Sequence, residues 1–183
     1  MAGVQNIVQA LSHYRHDFLN DIQLIKSYLA LGKLETVDAV LEKIIYRAEQ
    51  ESRLSSLHMP AFAEKLLTYN WHSPKVPAEI EINAGNDNWA VVEQHALTIF
   101  NRFTGLVEKK TKLGEDRQLL IILQQLENKE LALEYTGMEI SQSMKEHTEI
   151  FLRELDCLME ADISSDTIYF RVALQPEKKR EEK

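Results

Sequence analysis

Residues 4–31 read VQNIVQALSHYRHDFLNDIQLIKSYLAL and contain neither proline nor glycine. Apolar side chains recur every seven residues in this stretch, at Val4, Leu11, Phe18 and Ile25. This spacing predicts a long amphipathic helix that ends at Gly32, since glycine readily takes the left-handed conformation that closes a helix. The neighbours that widen the apolar row into one stripe are Ile7, Val8, Tyr14, Ile22, Tyr28 and Leu29.

A second amphipathic helix is predicted from about Glu35 to Ser55. The connection at Gly32 and Lys33 is so short that the two helices must be antiparallel neighbours. Two helices cannot enclose a core by themselves, so we expect a second copy of the chain to complete a four-helix bundle in a homodimer. The apolar positions expected to face inward are Val37, Val40, Leu41, Ile44, Ala48 and Leu54.

The chain changes character after Met59-Pro60, where short helical and alternating segments follow one another. Alternation of apolar and polar residues predicts strands, and the clearest hairpin turns at Ser164-Ser-Asp166. We therefore predict an α+β fold with a mostly antiparallel sheet. The predicted parts are a helical hairpin over 1–57, an α+β domain over 61–174 and a solvated tail over 175–183. Within the α+β domain we predict helices at about 61–71, 89–112 and 141–152, and strands at 79–83, 119–126, 130–135, 155–163 and 168–174.

Composition excludes several classes of protein. Of the 183 residues, 44% are hydrophobic and 27% are charged, which is typical of a folded globular chain. The net charge is -8, which argues against nucleic-acid binding. Cys157 has no cysteine to pair with, and no apolar run reaches the ~20 residues that span a bilayer. We expect a cytoplasmic protein with no membrane contact.

The candidate chemistry lies in the middle of the first predicted helix. With Leu11 and Phe18 on the apolar side, His16 falls on the opposite side and should face water. A neutral imidazole is a competent nucleophile, and a partner on one ring nitrogen leaves the lone pair of the other free. Asp17 is the adjacent acid and Asn20 lies one turn further on the same face, so either side chain is a candidate to orient His16.

Two plainer interpretations of His16 compete with this one. A histidine on a helix surface is most often only a surface residue. His13 and His16, three residues apart, also have the spacing of half a metal site, although no dedicated third or fourth ligand is evident in the sequence.

The motif from Arg15 to Gln23, RHDFLNDIQ, resembles the phospho-accepting helix of two-component sensor kinases. It is most similar to the subclass with the pattern Arg-His-Asp-(aromatic)-x-Asn-x-(aliphatic)-Gln, which includes the free-standing phosphotransferases of the endospore phosphorelay. The segments ESRLSSL at 51–57 and LTYNW at 67–71 add to this resemblance. The resemblance implies a dimeric four-helix bundle, followed by a domain shaped like a kinase ATP-binding domain.

The same resemblance implies a reaction. His16, with Asp17 and Asn20 beside it, would take a phosphoryl group from the aspartyl phosphate of one response regulator and pass it to the aspartate of another. Arg15, Leu19 and Gln23 would contact the receiver domain of the regulator. We expect no metal or cofactor of its own, because the Mg²⁺ that such a transfer needs would be held in the partner's acidic pocket.

The nucleotide-binding motifs of a kinase are incomplete in this sequence. Gly105 stands where a magnesium-binding asparagine would be expected after Asn101, and Tyr135 stands where an acid would read adenine. We therefore expect an ATP-binding fold that does not use ATP. The alternatives are an ATP-dependent histidine kinase with divergent nucleotide motifs, and a non-catalytic dimeric scaffold or inhibitor of a phosphorelay.

Overall fold

The computed structural model describes residues 2–72, 74–85, 87–112, 116–137 and 139–176, with the backbone alone for residues 2–6. The chain forms two compact units, residues 1–51 and residues 52–183, and their boundary falls within the second helix. The first unit is a helical hairpin and the second is a two-layer α/β structure, which confirms the predicted α+β class. No helix in the described ranges is long and apolar enough to cross a membrane.

The first unit consists of α1 (Ala2–Ala30) and most of α2 (Leu34–Ser56). At ~1.5 Å per residue α1 is about 44 Å long. Gly32 has a φ of 67°, which side chains with a Cβ rarely adopt. The backbone N–H groups of Gly32 and Lys33 each donate to carbonyls of the last turn of α1 at 3.0 Å. This turn closes α1 and reverses the chain, as predicted.

The apolar surface of the hairpin is largely uncovered in the single chain. Leu11 and Phe18 of α1 are 57% and 54% exposed, and Leu34 and Ile45 of α2 are 67% and 57% exposed. Among the described side chains of residues 7–51, Val37 is the one buried apolar residue. A helix pair with this much exposed apolar surface has no core of its own.

The described part of the second unit has three α-helices after α2 and five strands. The helices are α3 (Pro60–Tyr69), α4 (Glu93–Lys110) and α5 (Gln142–Arg153). The strands are β1 (Ala78–Asn83), β2 (Arg117–Gln125), β3 (Lys129–Gly137), β4 (Leu158–Ile163) and β5 (Thr167–Ala173). Their order in the sheet is β1-β2-β3-β5-β4. Only the β1–β2 pair is parallel, so the sheet is mostly antiparallel, as predicted.

The three helices pack on one face of this sheet. Phe170 of β5 lies 4.9 Å from the ring centroid of Phe103 on α4 and 5.5 Å from that of Phe151 on α5. One turn earlier on α4, Phe100 packs edge-on against Phe62 of α3, with the ring centroids 5.9 Å apart. Interlocked aromatic rings of this kind hold the layers together, and each ring also removes a large apolar area from water.

The observed bounds lie within two residues of the predicted ones except at the starts of β4 and α4. Strand β4 begins at Leu158 and not at Leu155, because Leu155 and Leu158 N–H groups donate to carbonyls three residues back and form turns. Helix α4 begins at Glu93 and not at Trp89, because Trp89 is fully buried and its N–H donates to the Leu57 carbonyl. Most of the predicted tail, residues 177–183, lies outside the described residues.

Candidate functional site

His16 lies in the middle of α1, more than three turns from either end. Its side chain is 72% exposed, and the described residues make no recorded hydrogen bond to its Nε2 atom. The absence of proline and glycine around it keeps the helix continuous, so the backbone holds the imidazole at a fixed place on the surface. The helical spacing predicted that His16 lies opposite Leu11 and Phe18 and faces solvent, and the exposed side chain agrees with that prediction.

Both candidate orienting residues contact the same ring nitrogen of His16. Asp17 Oδ1 lies 3.3 Å from Nδ1, and Asn20 Nδ2 lies 3.2 Å from Nδ1. The two contacts require different tautomers. The Asp17 carboxylate accepts a hydrogen bond only when Nδ1 carries the proton, and the Asn20 amide donates one only when Nδ1 is bare. With the proton on Nδ1, the lone pair of Nε2 is free and faces solvent.

An ion pair joins α1 to α2 near His16, and a carboxylate of α2 lies close by. Arg47 donates a hydrogen bond to Asp21 across the hairpin. One turn further along α2, Glu51 is half-buried and within the electrostatic reach of Asp17. Burial raises the pKa of Glu51, the positive charge of Arg47 opposes that rise, and the negative charge of Asp17 adds to it.

Sequence reasoning missed Arg47 and Glu51, although a signal was present. Asp17 and Asp21 are four residues apart on α1, and Arg47 and Glu51 are four residues apart on α2. Residues at this spacing share a helix face, and antiparallel helices bring such faces together in reverse order. Arg47 bonds to Asp21, and Glu51, one turn further along α2, lies within electrostatic reach of Asp17, one turn back along α1, which is the order expected of an antiparallel hairpin.

The three residues expected to contact a partner lie on the exposed surface around His16. Leu19 is 55% exposed, and Arg15 and Gln23 are exposed as well. The backbone carbonyl of Gln23 accepts a hydrogen bond from the Ser27 hydroxyl at 2.8 Å. The described residues contain no group of three or more histidine, cysteine, aspartate or glutamate side chains arranged to hold a metal ion.

Tyr135, one of the two positions at which the nucleotide motifs are incomplete, and the nearby Gly137 are packed against side chains of the α/β unit itself, whereas the space around Gly105 is open. Tyr135 is buried in the core, and its hydroxyl lies 3.0 Å from Thr111 Oγ1. The Arg117 guanidinium lies so close to Gly137 that its Nη1 atom would clash with a Cβ at position 137. Arg117 Nη2 also donates to the Glu139 carbonyl at 2.6 Å. Arg117 thus covers Gly137 at the end of β3.

Two family models together match most of the chain. Residues 1–57 match the alpha-helical domain of the SpoOB-type sensor kinases, and residues 58–166 match the C-terminal domain of sporulation initiation phosphotransferase B. The chain belongs to the sporulation initiation phosphotransferase B family. This confirms the family resemblance seen in the RHDFLNDIQ motif.

A curated relative is sporulation initiation phosphotransferase B of Bacillus subtilis, which is 29% identical over 123 residues. The match covers 67% of this chain and 64% of the relative, so it spans slightly less than two thirds of that protein.

Solved structures of histidine kinases are similar at a lower level. Acinetobacter baumannii histidine kinase AdeS is 12% identical with a TM-score of 0.42, and the alignment covers 89% of this chain and 98% of that one. Histidine kinase ThkA, solved in complex with response regulator protein TrrA, is 10% identical with a TM-score of 0.40, over 93% of this chain and 63% of that one.

Proposed function

We propose that this protein is a histidine phosphotransferase of a sporulation phosphorelay, in which His16 carries the phosphoryl group between two response regulators. The name of the Bacillus subtilis relative supports phosphotransfer as the activity. The observation that carries the proposal is the geometry of His16. The imidazole is exposed in the middle of a rigid helix, and its Nδ1 lies beside the Asp17 carboxylate while Nε2 faces solvent.

The reaction begins with the tautomer that Asp17 favours. The lone pair of Nε2 attacks the phosphorus of the regulator's aspartyl phosphate, the N–P bond forms, and the P–O bond breaks as the aspartate carboxylate leaves with its electron pair. The imidazole then carries a positive charge, which the Asp17 carboxylate stabilises through the Nδ1 proton. In the second half, the aspartate of another regulator attacks the same phosphorus and Nε2 leaves with its electron pair.

The chain's own part is to present and orient one nucleophile. The transition state of phosphoryl transfer is loose, so positioning and cations contribute more than covalent help. The cation belongs to the partner in this proposal, as Mg²⁺ bound in the acidic pocket of the receiver domain. Arg15 would meet the negative charge of the phosphorylated regulator, and the exposed Leu19 would pack against its apolar surface.

The same proposal includes a homodimer. The hairpin exposes the apolar side chains of Leu11, Phe18, Leu34 and Ile45. A second hairpin related by two-fold symmetry would bury this apolar surface, because each copy would present the same residues to the other. The resulting four-helix bundle would leave His16 on its outside, because His16 lies opposite Leu11 and Phe18 on α1.

The test is a transfer assay with purified protein and a receiver domain phosphorylated with a radioactive label. We expect the label to appear on the protein in a form that is stable in base and labile in acid, and to be absent from the His16→Gln variant. His13→Gln is the matched control, since it removes an imidazole three residues away, and it should retain the label.

Two other outcomes would contradict the proposal. Label taken from ATP without any receiver domain would support an ATP-dependent kinase with divergent nucleotide motifs. Receiver binding without transfer, unchanged in His16→Gln, would support a non-catalytic scaffold.

A further inference from the structure

The outer face of the sheet in the α/β unit, which the three helices leave uncovered, is strongly acidic. Side chains of successive strand residues alternate between the two faces, and the register of the sheet brings one set to the outer face. The charged members of that set are Glu79, Glu81, Glu130, Glu134, Glu160, Asp162 and Arg171.

The charge of the helices differs from that of the outer sheet face. Helices α3, α4 and α5 together carry five acidic and six basic residues. The outward positions of the described strands carry six carboxylates and one guanidinium. If the net charge of -8 were distributed evenly, both layers would be negative. Its concentration on one layer gives the described outward positions of the sheet a net negative charge, and therefore a negative field.

The single guanidinium on this face is already paired. Arg171 Nη1 donates to the buried Glu130 at 3.0 Å, and Nη2 donates to Glu160 at 3.1 Å. Glu130 also accepts a hydrogen bond from Gln124 Nε2 at 2.8 Å. These contacts hold the Arg171 guanidinium across β3, β5 and β4, on Glu130 and Glu160.

Apolar side chains lie among the carboxylates. Leu120 and Ile122 of β2 are partly exposed on this face, between Glu79 and Glu81 of β1 and Glu134 of β3. On β5, Tyr169 lies opposite Glu134 on one side and Asp162 on the other. Burial raises the pKa of Tyr169, and the carboxylates of Glu160, Glu130 and Glu134 add to that rise while Arg171 opposes it.

We infer that the outer sheet face is a docking surface for a basic, amphipathic segment of a partner protein. Lysine and arginine side chains of that segment would meet the carboxylates, and its apolar side chains would cover Leu120, Ile122 and Tyr169. Charge complementarity selects this occupant, because the field of the face repels nucleic acids and anionic lipid surfaces. The surface lies in the other unit from His16, so the inference goes beyond the proposed phosphotransfer.

The experiment measures binding of a short fluorescein-labelled peptide in which lysine and leucine alternate, by fluorescence anisotropy with the full chain at low ionic strength. The same peptide with glutamate for lysine is the control probe. The test variant Glu81→Gln/Glu134→Gln/Asp162→Asn removes three charges from the sheet face. The matched variant Glu64→Gln/Glu146→Gln/Glu149→Gln removes three charges from the helices.

We expect the cationic peptide to bind and the anionic one not to bind. The sheet-face variant should bind the cationic peptide about tenfold more weakly, as loss of three exposed charge pairs implies, and the helix variant should bind nearly as the original chain does. Ile122→Asn should also weaken binding. Failure of the original chain to bind, or equal weakening in both triple variants, would overturn the inference.

A second measurement does not depend on the variants folding. When the cationic peptide is added to the unmodified chain, NMR shifts of backbone amides should change on β1, β2, β3 and β5. Changes confined to α4 and α5 would place the peptide on the wrong layer and overturn the inference. Labelling of His16 by a receiver domain is a separate readout, so either proposal can fail alone.

Discussion

The two units of this chain solve the problem of burying apolar surface in different ways. Among the described residues of 52–176, 33 apolar side chains are buried, whereas the described side chains of residues 7–51 include one, Val37. The α/β unit packs helices and sheet around aromatic rings such as Phe103 and Phe170. The hairpin instead presents its apolar stripe to the outside.

The buried core and the candidate nucleophile therefore lie in different units of the chain. The α/β unit has a core that holds its own layers, with Tyr135 buried in that core and Arg117 packed over Gly137. The hairpin has the candidate nucleophile His16 but almost no buried apolar side chains among its described residues, and in the proposed dimer its order would depend on a second hairpin. Substitutions in the two units should therefore fail in different ways, and the four predictions below run from the largest expected effect to the smallest.

Core truncation in the α/β unit should have the largest effect on stability. Phe103 is fully buried and packs against Phe151 and Phe170, so Phe103→Ala should lower the free energy of unfolding by about 3–5 kcal/mol. Urea unfolding followed by the fluorescence of the buried Trp89 measures this. Ile150→Ala, at a position that is 56% exposed, is the control and should change little. Equal effects of the two would mean that the rings do not form the core.

Charge on the apolar stripe of the hairpin should break association. Phe18→Glu would place a carboxylate on each copy within the proposed bundle interface, and the dissociation constant measured by sedimentation equilibrium should rise about a hundredfold. Gln9→Glu adds the same charge to an exposed position on the other side of α1 and should leave association unchanged. A Phe18→Glu protein that remains as dimeric as the original would place the interface elsewhere.

The two contacts of His16 Nδ1 predict opposite behaviour of their variants. Asp17→Asn removes the carboxylate that holds the proton on Nδ1, and the transfer rate should fall about tenfold. Asn20→Ala removes the donor that favours the other tautomer, so the rate should be unchanged or slightly higher. Single-turnover transfer from a labelled receiver domain measures both. The reverse order of effects would show that Asn20 orients the ring.

The smallest effect concerns Glu51, whose pKa is raised chiefly by burial and also by Asp17, against the opposing charge of Arg47. A carboxyl with a higher pKa in the folded state favours folding in acid, and that contribution is lost as the pH rises through the raised pKa. Glu51→Gln should therefore raise the melting temperature at neutral pH, and the difference should vanish below about pH 4. The exposed Glu49→Gln should show no such pH dependence. A gain that is equal at both pH values would contradict this account.

Local patterns predicted most of the fold. The seven-residue repeat gave α1, Gly32 gave its end, and alternation gave the strands around the turns at 126–128 and 164–166. The predicted boundary at Leu155 was wrong because local turns precede β4, and the one at Trp89 was wrong for a tertiary reason. Trp89 is buried with its N–H bonded to the Leu57 carbonyl, which keeps it out of the helix that its neighbours form.

The sequence predicted the site residues that lie on α1 and not those contributed by α2. The exposure of His16 and the proximity of Asp17 and Asn20 follow from spacing along α1. Arg47 and Glu51 come from α2, and their contacts depend on the register between the helices, which no spacing within one helix determines. The competition of Asp17 and Asn20 for a single nitrogen also needed atomic positions, because both residues are near His16 in any helix.

The central claim is that Asp17 holds the proton on Nδ1 of His16 so that Nε2 takes the phosphoryl group. The most direct test is phosphorus–proton correlation NMR of the full chain after phosphorylation by a receiver domain. Phosphorus on Nε2 of His16 is three bonds from both ring C–H protons, so we predict correlations to both, and none in His16→Gln. A correlation to Hε1 alone would place the phosphoryl group on Nδ1, and a signal that persists in His16→Gln would place it on another residue; either result would contradict the account.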